Sequence, residues 1–188
     1  MKIVLVGDTQ VGKTCVLARL INKEFKSDSQ ATIGAAFQNY FLQTPAGFVQ
    51  LQIWDTAGQE QSRSLAPMYY RAASVAILFY DVTNLKSFQA LKDWMDELQE
   101  KAPVQLQIVI VGNKCDLEDR VVSTTTAQQF AKQNGAAFYC ETSAKTGEGV
   151  LELFSEVAQL NDATDTVSKK KESMQIPTAN DNNKKGCC

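Results

Sequence analysis

Short apolar runs alternate with amphipathic stretches along most of the chain. Ile3–Val6, Val75–Tyr80, Leu106–Val111 and Ala136–Tyr139 are continuous hydrophobic runs of strand length, the pattern of strands buried on both faces. Between them the period changes. Val150, Leu153, Phe154, Val157 and Ala158 recur at i, i+3, i+4, i+7 and i+8, which is one stripe of a helix; Phe88, Leu91, Met95 and Leu98 form a second, stopped by Pro103. A third helix is expected from Thr124 to Gln133, ended by Asn134-Gly135. One region breaks the alternation. Phe37–Leu42 and Phe48–Trp54 flank Thr44-Pro45-Ala46-Gly47, and Val49, Leu51 and Ile53 alternate with Gln50 and Gln52, the signature of an antiparallel hairpin. Strands that alternate with helices need right-handed crossovers and a mostly parallel sheet. The expected fold is therefore α/β, a three-layer α/β/α arrangement whose mostly parallel six-stranded sheet carries one antiparallel edge strand. Ligands of such sheets bind at the carboxyl ends of the strands.

The patterning stops near Asn161. Residues 161–188 contain no Phe, Trp or Tyr and are dominated by Asp, Asn, Ser, Thr and Lys, so they read as a flexible tail behind a single domain of residues 1–160. With 44% hydrophobic and 21% charged residues among 188, the chain has material for one real core. Its 19 basic against 21 acidic residues leave a net charge of −2, which excludes a general basic field for nucleic acid. No apolar run approaches the roughly 18 residues of a bilayer span, and the start carries no signal architecture, so a cytosolic protein is expected. Cys15, Cys115 and Cys140 lack paired C-x-x-C spacing, which argues against a disulfide framework or structural metal.

Directly after the first strand comes Gly7-Asp8-Thr9-Gln10-Val11-Gly12-Lys13-Thr14, a G-x-x-x-x-G-K-[ST] sequence in its strand-to-helix context. Gly7 and Gly12 let the backbone turn so that the N–H groups of Gln10, Val11, Gly12, Lys13, Thr14 and Cys15 face phosphates at a helix N-terminus. Lys13 neutralises the β and γ oxygens, and Thr14 offers a hydroxyl to Mg²⁺. ATPase, kinase and GTPase all remain open at this point.

The strand Leu106–Val111 continues as Gly112-Asn113-Lys114-Cys115-Asp116, which sets an acid beside the nucleotide. A carboxylate accepts the N1–H and the exocyclic amino protons of guanine, whereas adenine has an N1 acceptor and no 2-amino group. Asp116 thus selects guanine. Asn113 belongs to the same turn, Lys114 can lay its stem along the base, and Ser143-Ala144-Lys145 can give backbone N–H to the guanine carbonyl. Trp54-Asp55-Thr56-Ala57-Gly58-Gln59 stands where the hairpin's second strand ends: Asp55 can reach the Mg²⁺ shell, the Gly58 N–H the γ-phosphate, and Gln59 the attacking water. Thr32 is a second candidate Mg²⁺ ligand whose contact lasts only while the γ-phosphate does.

Over residues 1 to about 160 the chain resembles the Ras-like small GTPases, and within them the Rab family. The resemblance rests on the motifs above with Ala31-Thr32-Ile33-Gly34-Ala35-Ala36-Phe37, Ser64-Leu65-Ala66-Pro67-Met68-Tyr69-Tyr70-Arg71 and the terminal Cys187-Cys188. The Ile-Gly-Ala-Ala-Phe and Leu-Ala-Pro-Met-Tyr-Tyr wording is most similar to the early-endosomal Rab branch. The resemblance implies that Phe25 stacks on guanine and that Phe37, Trp54 and Tyr69 form an aromatic surface read by effectors. It implies a monomeric GTP/GDP switch with Mg²⁺ as cofactor and Gln59 and Lys13 as catalytic residues. Its partners would be an exchange factor, a GTPase-activating protein, a GDP-dissociation inhibitor and effectors. Geranylgeranyl groups on Cys187 and Cys188 would hold it to the cytoplasmic face of a membrane, an early endosome by the same wording. Gln61-Ser62, where Rabs usually carry Arg and an aromatic, departs from the pattern, as do Thr9 and Gln10, which are bulkier than most Ras-like residues there. No cis arginine finger is identified, so intrinsic hydrolysis is expected to be slow. Two other classes stay open on the residues alone: a constitutive guanine-nucleotide module without useful hydrolysis, and a P-loop kinase, for which no lid segment is found.

Overall fold

The computed structural model describes residues 1–26, 32–45, 47–58 and 66–160. Its elements run β1 (Lys2–Val6), α1 (Lys13–Asn22), β2 (Ala35–Thr44), β3 (Gly47–Thr56), α2 (Ala66–Tyr70), β4 (Val75–Asp81), α3 (Leu85–Gln89), α4 (Leu91–Lys101), β5 (Gln107–Asn113), α5 (Thr124–Gln133) and β6 (Phe138–Thr142). A last helix, α6, occupies residues 150–160. The strands form one six-stranded sheet in the order β2-β3-β1-β4-β5-β6. Only the β2/β3 pair is antiparallel; the other four pairings are parallel.

Three of the apolar runs are central strands, β1, β4 and β5, because both of their faces are covered; the fourth, expected to be buried on both faces, lies in β6, which is a part-buried edge strand. Ile3, Leu5, Ile77, Phe79, Val109 and Val111 point to one side, where Val16, Leu17 and Leu20 of α1 meet Leu153, Phe154 and Val157 of α6. Val4, Val6, Ala76, Leu78, Tyr80 and Ile110 point to the other, against Trp94, Met95 and Leu98 of α4 and Ala127 and Ala131 of α5. Each large aliphatic side chain so buried contributes about 1.5–3 kcal/mol of transfer free energy. The chain leaves β1 for the hairpin on one side and returns as β4 on the other, so β1 lies at the point where the strand order reverses. The crevice at its carboxyl end is where the chain has placed the glycine loop.

Every strand differs from the sequence expectation by at least one residue, and one expected helical stripe is divided in two. The strand expected over Leu106–Val111 ends later, at Asn113, and the one expected over Ala136–Tyr139 occupies Phe138–Thr142. Parallel pairing from Val109↔Phe138 to Asn113↔Thr142 carries both strands past their apolar run, through residues buried for their hydrogen bonds. The stripe Phe88–Leu98 is two helices, α3 and α4, meeting at Ala90; Asn84 caps the first by accepting from the N–H groups of Lys86 and Ser87. Helix α5 has the bounds expected of it. Gln59, Gln61, Ser62, Ser64, Leu65, Ala31 and the tail 161–188 with Cys187 and Cys188 lie outside the described residues. Among the described residues no helix is long and apolar enough to cross a membrane.

Candidate nucleotide-binding site

A cavity of about 710 Å³ opens at the carboxyl edge of the sheet. Gly12, Lys13, Thr14 and Cys15 line one end of it, with Thr9, Gln10, Thr32 and Gly58; Asn113, Lys114, Asp116, Ala144, Lys145 and Phe25 line the other. Sequence motifs separated by more than a hundred residues therefore share one chamber. Thr56 and Leu117 also line it and carry no motif signal beyond standing next to Asp55 and Asp116.

The phosphate end is built from backbone. Gly12 has φ 93°, a left-handed conformation that favours glycine, and a Cβ there would strike the Asn113 amide. Gly58 approaches the loop so closely that a Cβ would fall against the backbone of Asp8 and Thr9. No side chain caps the first turn of α1, which leaves the Lys13 and Thr14 N–H groups for an anion. The Lys13 ammonium lies across the loop, donating to the Gly7 and Asp8 carbonyls at 2.6 and 2.7 Å. Burial lowers its pKa to about 8, against the charges of Asp55 and Asp8, which raise it. A phosphate anion in this cradle would restore the charge. From the far side Trp94 Nε1 donates to Asp8 Oδ1 at 2.8 Å, so α4 also braces the loop.

Beside this cradle three hard oxygens converge. Thr14 Oγ1 donates to Asp55 Oδ2 at 2.7 Å and stands 2.7 Å from Thr32 Oγ1. Asp55 is buried, its Oδ1 has no hydrogen-bond partner, and burial pushes its carboxyl above the usual range despite the Thr14 bond and the Lys13 charge. An orphaned buried carboxylate oxygen on the residue that holds the linked Thr14 and Thr32 hydroxyls fits a small hard dication, which takes one carboxylate, hydroxyls, waters and phosphate oxygens.

The base end is built from side chains. Asn113 is buried and both ends of its amide are committed, donating to the Val11 carbonyl at 2.8 Å and accepting from Thr142 Oγ1 at 3.0 Å. It therefore joins the base loop to the phosphate loop. Lys114 holds φ 66° and its ammonium pairs with Asp81 Oδ2 at 2.6 Å, leaving the stem along the cavity. Asp116 accepts from Ser143 Oγ at 2.6 Å, with the Lys145 ammonium 3.9 Å from its other oxygen. Beneath the loop, Glu141 takes both arms of Arg120 at 2.7 and 2.8 Å, the Thr124 hydroxyl at 2.8 Å and the Tyr139 hydroxyl at 2.6 Å. Tyr139 reaches Tyr80 at 2.9 Å, and both hydroxyls sit over Gly112, which is why no side chain fits there. Sequence reading missed Arg19, Asp81, Trp94, Arg120 and Glu141; none stands in a motif, and only the folded chain brings them to the site.

Away from the cavity, Phe37, Trp54 and Tyr69 stack in a row, with ring centroids 5.2 and 5.6 Å apart. Phe37 is 43% exposed, and the Lys2 ammonium lies 5.2 Å from the centre of the Trp54 ring.

A mixed α/β sheet with a glycine loop after β1 and a base loop after β5 defines the class: a P-loop nucleotide switch. The comparisons narrow it. The Ras family model matches residues 2–162. Among relatives, the Ras-related protein RABF2b of Arabidopsis thaliana is 45% identical over 159 residues, covering 84% of this chain and 79% of that one. The GTP-binding protein ypt5 of Schizosaccharomyces pombe is 45% identical over 161 residues, 84% of this chain and 76% of its own. The Ras-related protein Rab5 of Nicotiana tabacum is 43% identical over 159 residues, 84% and 79%. The chain belongs to the Ras family, in its Rab branch: a small GTPase, a GTP-binding switch that regulates vesicular traffic.

Proposed function

We propose that the cavity takes GTP or GDP together with Mg²⁺, polyphosphate against Gly12–Cys15 and guanine between Asp116 and the Ser143–Lys145 loop. The observation that carries this is the convergence of Lys13, Thr14 and Asp116 in one chamber with the orphaned Asp55 oxygen beside the phosphate end. Thr14, Asp55 and Thr32 would hold the cation, which supplies charge neutralisation for the polyphosphate when bound. Lys13 would give up its carbonyl partners for phosphate oxygens, and the Gly58 N–H would meet the γ-phosphate. Asp116 accepts from guanine and Phe25 covers the base face. Gln59 would orient the attacking water, with slow intrinsic turnover accelerated by a partner's arginine.

Thr32 and Gly58 sit on the two loops that the γ-phosphate would order, and the Phe37–Trp54–Tyr69 row is drawn from β2, β3 and α2 with Phe37 at its exposed end; effectors would read it in the GTP state. Exchange and activating factors and a GDP-dissociation inhibitor would act on the domain of residues 1–160. The tail 161–188 would carry prenyl groups on Cys187 and Cys188 and hold the protein, otherwise cytosolic and monomeric, to the cytoplasmic face of an endosomal membrane, a location the Rab5 names of its relatives support. The test measures affinity of nucleotide-free protein for GTP, GDP and ATP with Mg²⁺, then single-turnover phosphate release. Tight guanine-selective binding with slow release is expected. Binding without release would make the protein a constitutive module, and ATP preference would overturn the base assignment.

A further inference from the structure

Helix α1 begins under the phosphates and ends at the base loop, and one side chain in its last turn makes the connection. Arg19 Nε donates to the Ala144 carbonyl at 2.7 Å, Nη2 to the Lys145 carbonyl at 2.5 Å and Nη1 to the Lys23 carbonyl at 2.7 Å. Its stem packs 3.6 Å from where a Gly147 Cβ would stand. The guanidinium fork is rigid, so two adjacent carbonyls held on its donors fix the orientation of both peptide planes.

A trans peptide points its N–H opposite to its C=O. Holding the Ala144 carbonyl on the Arg19 side therefore turns the Lys145 N–H away from Arg19. The rest of the turn is closed internally: Gly147 N–H donates to the Ser143 carbonyl at 2.8 Å, Ser143 N–H to the Glu148 carbonyl at 2.9 Å and Thr146 N–H to Ser143 Oγ at 3.0 Å. The N–H groups of Ala144 and Lys145 have no such partner among the described residues, and both residues line the cavity. The Lys145 N–H held by the fork, with the Ala144 N–H set through the Ser143 carbonyl on Gly147, suits a base that presents an acceptor at its sixth position, as guanine does with O6, and repels the amino group of adenine. On the proposed nucleotide reading, we infer that Arg19 is a positioning residue for guanine recognition, aiming the Lys145 N–H group at O6 from outside the cavity. It touches no nucleotide itself.

The experiment uses the full chain with Arg19→Ala and Arg19→Lys, and three probes with Mg²⁺: GDP, inosine diphosphate, which lacks only the 2-amino group, and 6-thioguanosine diphosphate, whose sulfur is a poor acceptor. Arg19→Ala should weaken GDP about tenfold, the loss of a charge-assisted contact. The preference for GDP over the 6-thio analogue should collapse, while the GDP to inosine diphosphate ratio, set by Asp116, stays as in wild type. Arg19→Lys, which keeps one donor, should recover part of the 6-thio discrimination, so that a poorly folding alanine variant still leaves a readout. Unchanged 6-thio discrimination, or equal loss of both ratios, overturns the inference. A wild-type protein that does not prefer GDP to ADP would instead overturn the nucleotide reading beneath it.

Discussion

On the proposed reading, the two ends of the cavity would recognise their halves of a nucleotide by different means. The phosphate end is a contiguous run, Gly7 to Cys15, whose donors are backbone N–H groups at one helix start and whose lone cation, Lys13, is buried. The base end takes its parts from β5, β6 and the loops that follow them, and is braced from α1 by Arg19, from β4 by Asp81 and from below by Glu141. A polyphosphate is a dense charge that any correctly curved nest attracts, so local geometry suffices there. A base edge is neutral and is distinguished only by the placement of a few donors and acceptors, which needs rigid support from several elements. Asn113, bonded to Val11, is the joint between the two.

The harshest test of this contrast is Lys13→Ala. It removes the charge and leaves the Gly7 and Asp8 carbonyls without their partner, and should cut GTP and GDP affinity at least about 10²-fold for all bases alike. Calorimetric titration with Mg²⁺-GDP and Mg²⁺-inosine diphosphate checks it; a loss confined to GDP would blur the division. Asp116→Asn should act in the opposite sense, weakening GDP about 10–100-fold while raising affinity for xanthosine diphosphate, whose C2 carbonyl accepts from the new amide. Competition of the two diphosphates on one preparation reads the swap directly, and retained wild-type GDP affinity would remove Asp116 from the base site.

A smaller effect is expected one shell out. Asp81→Asn releases the Lys114 ammonium from a pair at 2.6 Å, half of it partly exposed, and should speed GDP dissociation about threefold to tenfold through a loss of about 1 kcal/mol. Stopped-flow release of a fluorescent GDP would show it; an unchanged rate would mean that Lys114 is placed by its backbone alone. Tyr139→Phe should leave GDP affinity intact and lower Tm by about 2–4 °C, for a part-buried hydroxyl whose two hydrogen bonds together contribute about 1 kcal/mol.

The same tyrosines give a pH signature. Burial raises Tyr80 to about 12, and burial together with the Glu141 carboxylate raises Tyr139 further. The unfolded phenols ionise near 10, so above that pH the folded state binds more protons than the unfolded state and stability falls as pH rises. Denaturant titrations from pH 9 to 11 should show that fall, and a shallower one in Tyr139→Phe.

Much of this was legible beforehand because the chain writes it locally. Three of the apolar runs named the central strands, the Thr44–Gly47 turn and the alternation after it named the hairpin, and the glycine loop with its Lys-Thr stands at one end of the cavity. Where expectation slipped, pairing had overridden local pattern: Gly112, Asn113 and Thr142 are strand residues although nothing apolar marks them, because β5 and β6 continue their ladder to reach the cavity. Arg19, Trp94 and Asp81 were invisible for a related reason. A lone Arg in a helix, a Trp on an apolar stripe and an Asp at a strand end carry no spacing, and their partners lie 125, 86 and 33 positions away.

What the sequence by itself determined is the order of features along the chain: which central strands are buried, where the glycine loop stands, and that an acid follows β5. Those properties depend on neighbours within a few residues, through periodicity, glycine freedom and contiguous motifs. Only the tertiary structure decided that Thr14, Thr32 and Asp55 share one corner and that Asn113 locks one loop to another. It also decided that Arg19 holds the Ala144 and Lys145 carbonyls. Those contacts require chain segments brought together by burial of a common core, and their donors and acceptors acquire direction only once the sheet has set the strand ends side by side.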